Sequence, residues 1–164
     1  AKCETHSLSG KIIYDDTLLP HQPINNTLII LNSTNGITVD SATTNSGGEY
    51  RFENIEDGTY TIQVHCQKPW GGVNSLDALT IMSHFSKLYT LKDLRLESAD
   101  VDLSGNVNTL DALYVAQRFS LLINSFPAGD WIFESDTITV NGTDVIHDFK
   151  GLTVGDVDGS YQIP

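Results

Sequence analysis

The sequence predicts an α+β chain in two parts: a small β-sandwich over residues 1–66, then a helical module with a β-rich tail over 67–164. Three observations predict it. Residues 7–66 break into short β-branched and aromatic runs separated by turn residues. A seven-residue segment of the second half recurs 34 positions later (107 − 73), and each copy leads into a helical apolar pattern. Strand-like runs return after residue 129. A length of 164 residues allows one domain or two small ones.

Composition narrows the function classes. The chain carries 21 acidic and 9 basic residues, a net charge of −12. Nucleic-acid binding needs a surplus of Lys and Arg, so that class is excluded, as is an anionic membrane surface. A hydrophobic fraction of 40% suffices for a core. The longest strongly apolar run is Leu28-Ile29-Ile30-Leu31, far below the ~20 residues of a membrane span, so no membrane insertion is expected. No basic-then-apolar leader opens the chain, as expected if it was removed or if this is a piece of a longer protein. Abundant Ser, Thr, Asn and Gly with scarce Lys suit a secreted or cell-surface protein. Cys3 and Cys66 are too few and too far apart for a zinc site. They are either two unpaired thiols or one disulfide tying the N-terminus to the end of the first half.

In the first half, residues 8–14, 26–31 and 37–42 read as strands. Asn45-Ser46-Gly47-Gly48 is a turn feeding residues 49–55, where Tyr50, Phe52 and Ile55 point inward. Glu56-Asp57-Gly58 is the next turn, and Tyr60, Ile62 and Val64 are the inward positions of 59–64. The string NSGGEYRFENIEDGTYTIQV resembles the signature of carboxypeptidase regulatory-like and collagen-adhesin B-type domains. That resemblance spans residues 5–66 and implies a prealbumin-like sandwich acting as stalk, spacer or support.

The repeat pairs Val73-Asn74-Ser75-Leu76-Asp77-Ala78-Leu79 with Val107-Asn108-Thr109-Leu110-Asp111-Ala112-Leu113, differing only at Ser75/Thr109. Leu79, Ile81, Met82 and Phe85 then share one helical face, as do Leu113, Val115, Ala116 and Phe119. Residues 90–98 form a shorter helix on Leu91, Leu94 and Leu96.

The loop before the last helix starts at Asp100. Counting from it, Asp100, Asp102, Ser104, Asn108 and Asp111 stand at positions 1, 3, 5, 9 and 12, with Gly105 at 6. This is the ligand order of an EF-hand-type calcium loop, in which a hard cation takes clustered oxygens and position 7, here Asn106, gives its backbone carbonyl. Asn108 acts directly or through water. The alternative is a polar turn with Asn108 or Thr109 as helix N-cap. Position 12 is Asp rather than Glu, so the incoming helix of an ordinary EF-hand need not be present.

DVDLSGNVNTLDALYVAQRF, with the upstream GGVNSLDALTIMSHF, resembles the duplicated segments of type I dockerins, with repeats at 66–86 and 100–120. The resemblance implies a non-catalytic, calcium-dependent module that attaches a secreted or surface protein to a cohesin-like domain. It further implies partner contacts from loop positions 10 and 11 and the exposed face of the following helix. Carried over, these are Thr109, Leu110, Gln117 and Arg118, with Ser75, Leu76, Ser83 and His84 as first-copy equivalents. Leu at position 11 in both copies departs from the Ser or Thr often found there, so the implied partner need not be an ordinary type I cohesin.

The first loop is defective, because Cys66, Lys68 and Trp70 occupy positions 1, 3 and 5 and only Asn74 and Asp77 remain. The chain ends on Asp156, Asp158 and Ser160 in the 1, 3, 5 spacing with no helix behind them. A tail that folds back would complete the first site. The alternative is a polar turn and an empty first loop.

Residues 130–134 and 137–140 are strand-like, Asn141-Gly142 signals a hairpin, and 147–152 adds a further strand. Gln67 to Gly71 links the two parts. Enzyme readings find no support: the five histidines are dispersed, and no phosphate loop, nucleophile elbow or CxxC occurs. Besides cohesin docking, a calcium-stiffened adhesin stalk and a carbohydrate-binding accessory module remain open, with polysaccharide reached through the parent protein. Exposed Leu76 and Leu110 would favour docking, buried ones the stalk, and a row of exposed aromatics carbohydrate.

Overall fold

The computed structural model describes residues 3–164. It is α+β, with two sheets and three helices among the described residues. The chain divides into two compact units. The first holds residues up to Ile13, Pro23–Gln67 and Phe133–Lys150, and the second Tyr14–Gln22, Lys68–Ile132 and Gly151–Pro164. This departs from the contiguous division at residue 66. Residues 133–150 group with the sandwich rather than with the helical module, and 14–22 do the reverse.

The strands of the first half are β1 (Thr5–Tyr14), β2 (Leu28–Ser33), β3 (Thr38–Thr43), β4 (Glu49–Glu56) and β5 (Gly58–His65). Alternation decides their faces. In β4, Tyr50 and Phe52 are buried while their neighbours are exposed. The alternation then slips by one, and Ile55 is buried. The cause is a bulge where β4 faces β1 between His6 and Leu8, with Asn54 at φ +57°. Tyr60 is buried, whereas Ile62 and Val64 are only half-buried.

Four strands follow: β6 (Trp131–Phe133), β7 (Thr137–Val140), β8 (Val145–Ile146) and β9 (Phe149–Thr153). One sheet has the order β3-β2-β5-β7, the other β4-β1-β9-β6 with β8 beside β1. β7 runs antiparallel to β5, with Ile138 opposite Tyr60. β8 runs parallel to β1. The Asn141-Gly142 turn therefore closes no hairpin: it carries the chain from one sheet to the other. Leu8, Ile12, Ile24, Ile29, Leu31, Phe52, Ile138, Val140 and Phe149 fill the sandwich interior.

Cys3 and Cys66 are not joined, so the disulfide does not form here. β1 begins opposite Glu56, whereas Cys66 follows the far end of β5. Eight strand residues at about 3.3 Å each separate those ends, and a disulfide needs Cα atoms within about 7 Å.

The second unit contains α1 (Ser75–Phe85), α2 (Asp93–Ala99) and α3 (Thr109–Phe119). α1 packs on α3. Ile81, Leu91, Val101, Val115, Phe126, Val154 and Val157 belong to its core. Leu94 is buried and Leu96 half-buried, as the short-helix pattern predicts. α2 runs straight into Asp100, so the incoming helix is present despite Asp at position 12. No helix among the described residues is long and apolar enough to cross a membrane.

Candidate metal centres

Two acidic clusters lie in the second unit. In each, three carboxylates bring one oxygen apiece within 4.8 Å of one another: Asp100, Asp102 and Asp111, and Asp77, Asp156 and Asp158.

The first cluster is built by a contiguous loop. Asp100 caps the end of α2 and accepts the amides of Ser104 (3.0 Å) and Gly105 (2.9 Å). Asp102 also accepts the Ser104 amide, at 3.0 Å. Asp111 reaches back from the first turn of α3. Its Oδ1 accepts from Val101 (2.9 Å) and its Oδ2 from Asn108 (2.9 Å). The Ser104 hydroxyl donates to the Asn106 carbonyl at 3.1 Å, which brings the position-5 and position-7 oxygens together. Burial raises the Asp111 carboxyl above its ordinary value, while the Ser104 hydrogen bond lowers that of Asp102. Asn108 is the N-cap of α3, its Oδ1 taken by the Leu110 amide at 2.7 Å. That oxygen thus gives one of its two lone pairs to the helix.

The second cluster reproduces this scaffold from two separate segments. Asp156 and Asp158 both accept the Ser160 amide at 3.1 Å, as Asp100 and Asp102 accept that of Ser104. Asp156 Oδ2 accepts from Tyr161 at 3.1 Å, in the place of Gly105. Asp77 Oδ1 accepts from Asp158 (3.3 Å) and its Oδ2 from Asn74 (2.8 Å), matching the roles of Asp111. The Ser160 hydroxyl donates to the Gly72 carbonyl at 3.2 Å, the counterpart of Ser104 on Asn106. Asn74, like Asn108, is a helix N-cap. Asp77 and Asp156 have no solvent exposure, and burial pushes each up to about 7. The Asp158 and Asp156 charges raise Asp77 further, against the lowering hydrogen bond from Asn74.

Two participants had no place in the sequence reading. One is the Gly72 carbonyl. Its signal was present, since Gly71-Gly72 aligns with Gly105-Asn106 in the repeat. Space explains the glycines. A Cβ at Gly71 would lie 2.3 Å from the Tyr161 ring, and one at Gly72 2.9 Å from Asp156 Oδ2, with φ at +83°. The other is Tyr14, whose hydroxyl donates to Asp156 Oδ2 and is raised by burial. Nothing local in the sequence marks it. Of the residues at the front of the first repeat, Trp70 supports the tail by donating to the Val154 carbonyl at 2.8 Å.

The expected partner-facing residues divide. Ser75, Leu76, Thr109 and Leu110 are exposed, Leu76 by 53% and Leu110 by 44%. Gln117, Ser83 and His84 are half-buried, and His84 Nδ1 accepts the Leu91 amide at 3.0 Å. Arg118 is not on the surface: it is 5% exposed. Its guanidinium lies 3.6 Å from the Trp70 ring centroid and 4.7 Å from that of Phe126, and it pairs with Asp130 at 2.6 Å. The apolar helix positions divide as well. Ile81 and Val115 are buried, but Leu79, Met82, Phe85, Leu113 and Phe119 are exposed beside Leu76 and Leu110.

Fold and site together define a class: a β-sandwich joined to a paired loop–helix module bearing two hard-oxygen clusters. Residues 71–120 match the family model of the dockerin type I domain, and residues 16–80 match that of the SdrD B-like domain. Both are non-enzymatic kinds of module, typical of extracellular or surface proteins, and dockerins in general bind calcium and cohesins. No curated protein matches the chain. Among solved structures, the minor pilin GBS52 of Streptococcus agalactiae is similar at TM-score 0.47 and 11% identity, over 99% of this chain and 48% of that one. The major pilin subunit BcpA of Bacillus cereus is similar at 0.41 and 9% identity, over 89% and 30%. The T6 backbone pilin of Streptococcus pyogenes is similar at 0.36 and 18% identity, over 41% and 14%. The chain therefore spans less than half of each of these pilins.

Proposed function

We propose that the second unit is a calcium-dependent docking module. It takes calcium at the Asp100 loop and presents one face of α1 and α3 to a cohesin-like domain. The sandwich supports it within a secreted or cell-surface protein. The observation that carries this reading is the Asp100 cluster: three carboxylates, a hydroxyl and a carbonyl in loop order, within a stretch matching the dockerin model. The donors fit the ion, because calcium takes six to eight hard oxygens. Asp100, Asp102, Ser104, Asp111 and the Asn106 carbonyl would hold it, and bound calcium would offset three mutually repelling negative charges. Asp111 meanwhile ties the loop to α3 through the Val101 and Asn108 amides, so the loop and the start of the helix move as one.

The docking face rests on the exposed Leu76, Leu79 and Phe85 and their repeat equivalents Leu110, Leu113 and Phe119. Six large apolar side chains exposed on two packed helices are the kind of apolar surface found at protein interfaces. The SdrD B-like match favours a second reading, a calcium-stiffened stalk that docks nothing. A carbohydrate platform gains no support, since Trp131 is half-buried edge-on to Tyr14. Any polysaccharide contact is left to the parent protein.

The test is binding to a panel of type I cohesin domains, in calcium and in EDTA. The docking reading expects at least one calcium-dependent partner, lost in Leu76→Asp/Leu110→Asp with the fold intact. Calcium that stabilises the chain while no cohesin binds would replace docking with the stalk.

A further inference from the structure

We propose that the second calcium site is a split loop, its front half supplied by 156–160 and its back half by 72–77, and that the ion works as a clasp on the chain's end. The inference rests on the calcium reading above and adds what this chain does differently. Within the dockerin-matching stretch the first loop has lost positions 1, 3 and 5, so a contiguous site is impossible there. The structure brings the missing oxygens from a segment 88 residues away, measured between Ser160 and Gly72.

The donor set fits the ion: Asp77, Asp156, Asp158, the Ser160 hydroxyl and the Gly72 carbonyl are all hard oxygens. Charge is the independent argument. Asp77 and Asp156 are wholly buried, and no ion pair to a basic side chain among the described residues involves either one or Asp158. Carboxylates buried without a cation are strongly disfavoured, and calcium coordination supplies the missing charge. The Gly71-Gly72 cradle points the same way, because any side chain there would collide with Tyr161 or Asp156.

The front half is delivered independently of the ion. The Ser98 hydroxyl accepts the Gly155 amide at 2.9 Å and donates to the Thr153 carbonyl at 3.1 Å, just before Asp156. Beyond Asp156, Val157 is buried in the core and the Tyr161 ring packs edge-on to Tyr14, with centroids 6.0 Å apart. Gln22 binds the Tyr161 carbonyl (2.8 Å) and the Ile163 amide (2.9 Å), and the Tyr161 hydroxyl donates to the Pro69 carbonyl (2.9 Å). Without calcium, the ionised carboxylates of the cluster repel one another against these contacts. With calcium, the same carboxylates pull 156–160 onto the start of α1.

The experiment uses metal-stripped full chain, native and as Asp158→Asn or Asp102→Asn, both at half-buried positions. Calcium stoichiometry is read by calorimetry, and amide exchange of 155–164 by mass spectrometry. The expected result is two ions for the native chain and one for each variant. Calcium should slow exchange at 156–161 at least about tenfold in the native chain and in Asp102→Asn, but not in Asp158→Asn. Unchanged exchange across α3 certifies that Asp158→Asn is folded, and Ser160→Ala, which keeps every charge, should weaken the same site. Two ions in Asp158→Asn, or tail protection that disappears in Asp102→Asn instead, overturns the clasp. One native ion, lost only in Asp102→Asn, also overturns the clasp while the calcium reading stands. No ion at all overturns both.

Discussion

Arg118 sits where its repeat partner His84 sits, yet the two side chains do different work. His84 is half-buried and fixed by the Leu91 amide. Arg118 is buried with its guanidinium over the Trp70 ring, whose indole in turn holds the Val154 carbonyl. Its planar, delocalised charge suits a position between two aromatic rings and a carboxylate, where an ammonium would not stack. Arg118→Lys should therefore destabilise the chain by about 1–2 kcal/mol, and Arg118→Ala by about 2–4 kcal/mol, because a buried cation site is emptied beside two rings. Denaturant unfolding in calcium measures both. A Lys variant as stable as the native chain would contradict the stacking role. Placing Arg118 on the partner face from sequence failed for an identifiable reason. Helical spacing locates a residue on the helix, but the ring it stacks on lies 48 positions earlier (118 − 70) and in a loop.

At the scale of elements, the loop was legible and the helix faces were half-legible. The spacing of oxygen side chains located the carboxylate cluster of Asp100, Asp102 and Asp111, because groups that converge within one tight loop recur at fixed intervals. The tail's 1, 3, 5 spacing did the same for Asp156, Asp158 and Ser160. Apolar periodicity located α1 and α3 but could not tell a core face from a docking face, since both obey the same 3.6-residue period. Leu79 and Leu113 belong to the apolar helical pattern and lie on the surface. The split loop also carries a pH signature. Burial raises Asp77 and Asp156 from 3.8 to about 7, so between those values the folded metal-free chain holds protons that the unfolded chain has released. Unfolding there releases protons, and stability falls as pH rises. The stabilisation is complete below the unfolded value and is lost as pH passes through 7. The melting temperature in EDTA should thus drop from about pH 5 to about pH 7.5, and excess calcium should cancel most of the drop. A melting temperature in EDTA that climbs over this window would contradict the uncompensated cluster.

At the scale of the molecule, the fold class and the order of strands and helices were readable, whereas the division into units was not. The sequence suggests a cut at one linker, but the chain passes between the units at 13/14, 22/23, 67/68, 132/133 and 150/151. Strand patterns say that 137–140 is extended without naming its neighbour. β7 pairs with β5, nearly eighty residues earlier at Tyr60 and Ile138 (138 − 60 = 78), and this carries residues 133–150 to the sandwich. Tyr14 illustrates the same limit in reverse. It ends the first strand, groups with the second unit, and places its hydroxyl on Asp156. Long-range pairing of this kind depends on which partner surface is complementary, and periodicity does not encode that.

The most direct test of the account is a calorimetric titration of the metal-stripped native chain with calcium alone. Saturable binding of two ions per chain is the predicted result, one for each carboxylate cluster. A flat titration, with no heat and no change in melting temperature, would contradict the calcium-dependent module at its root.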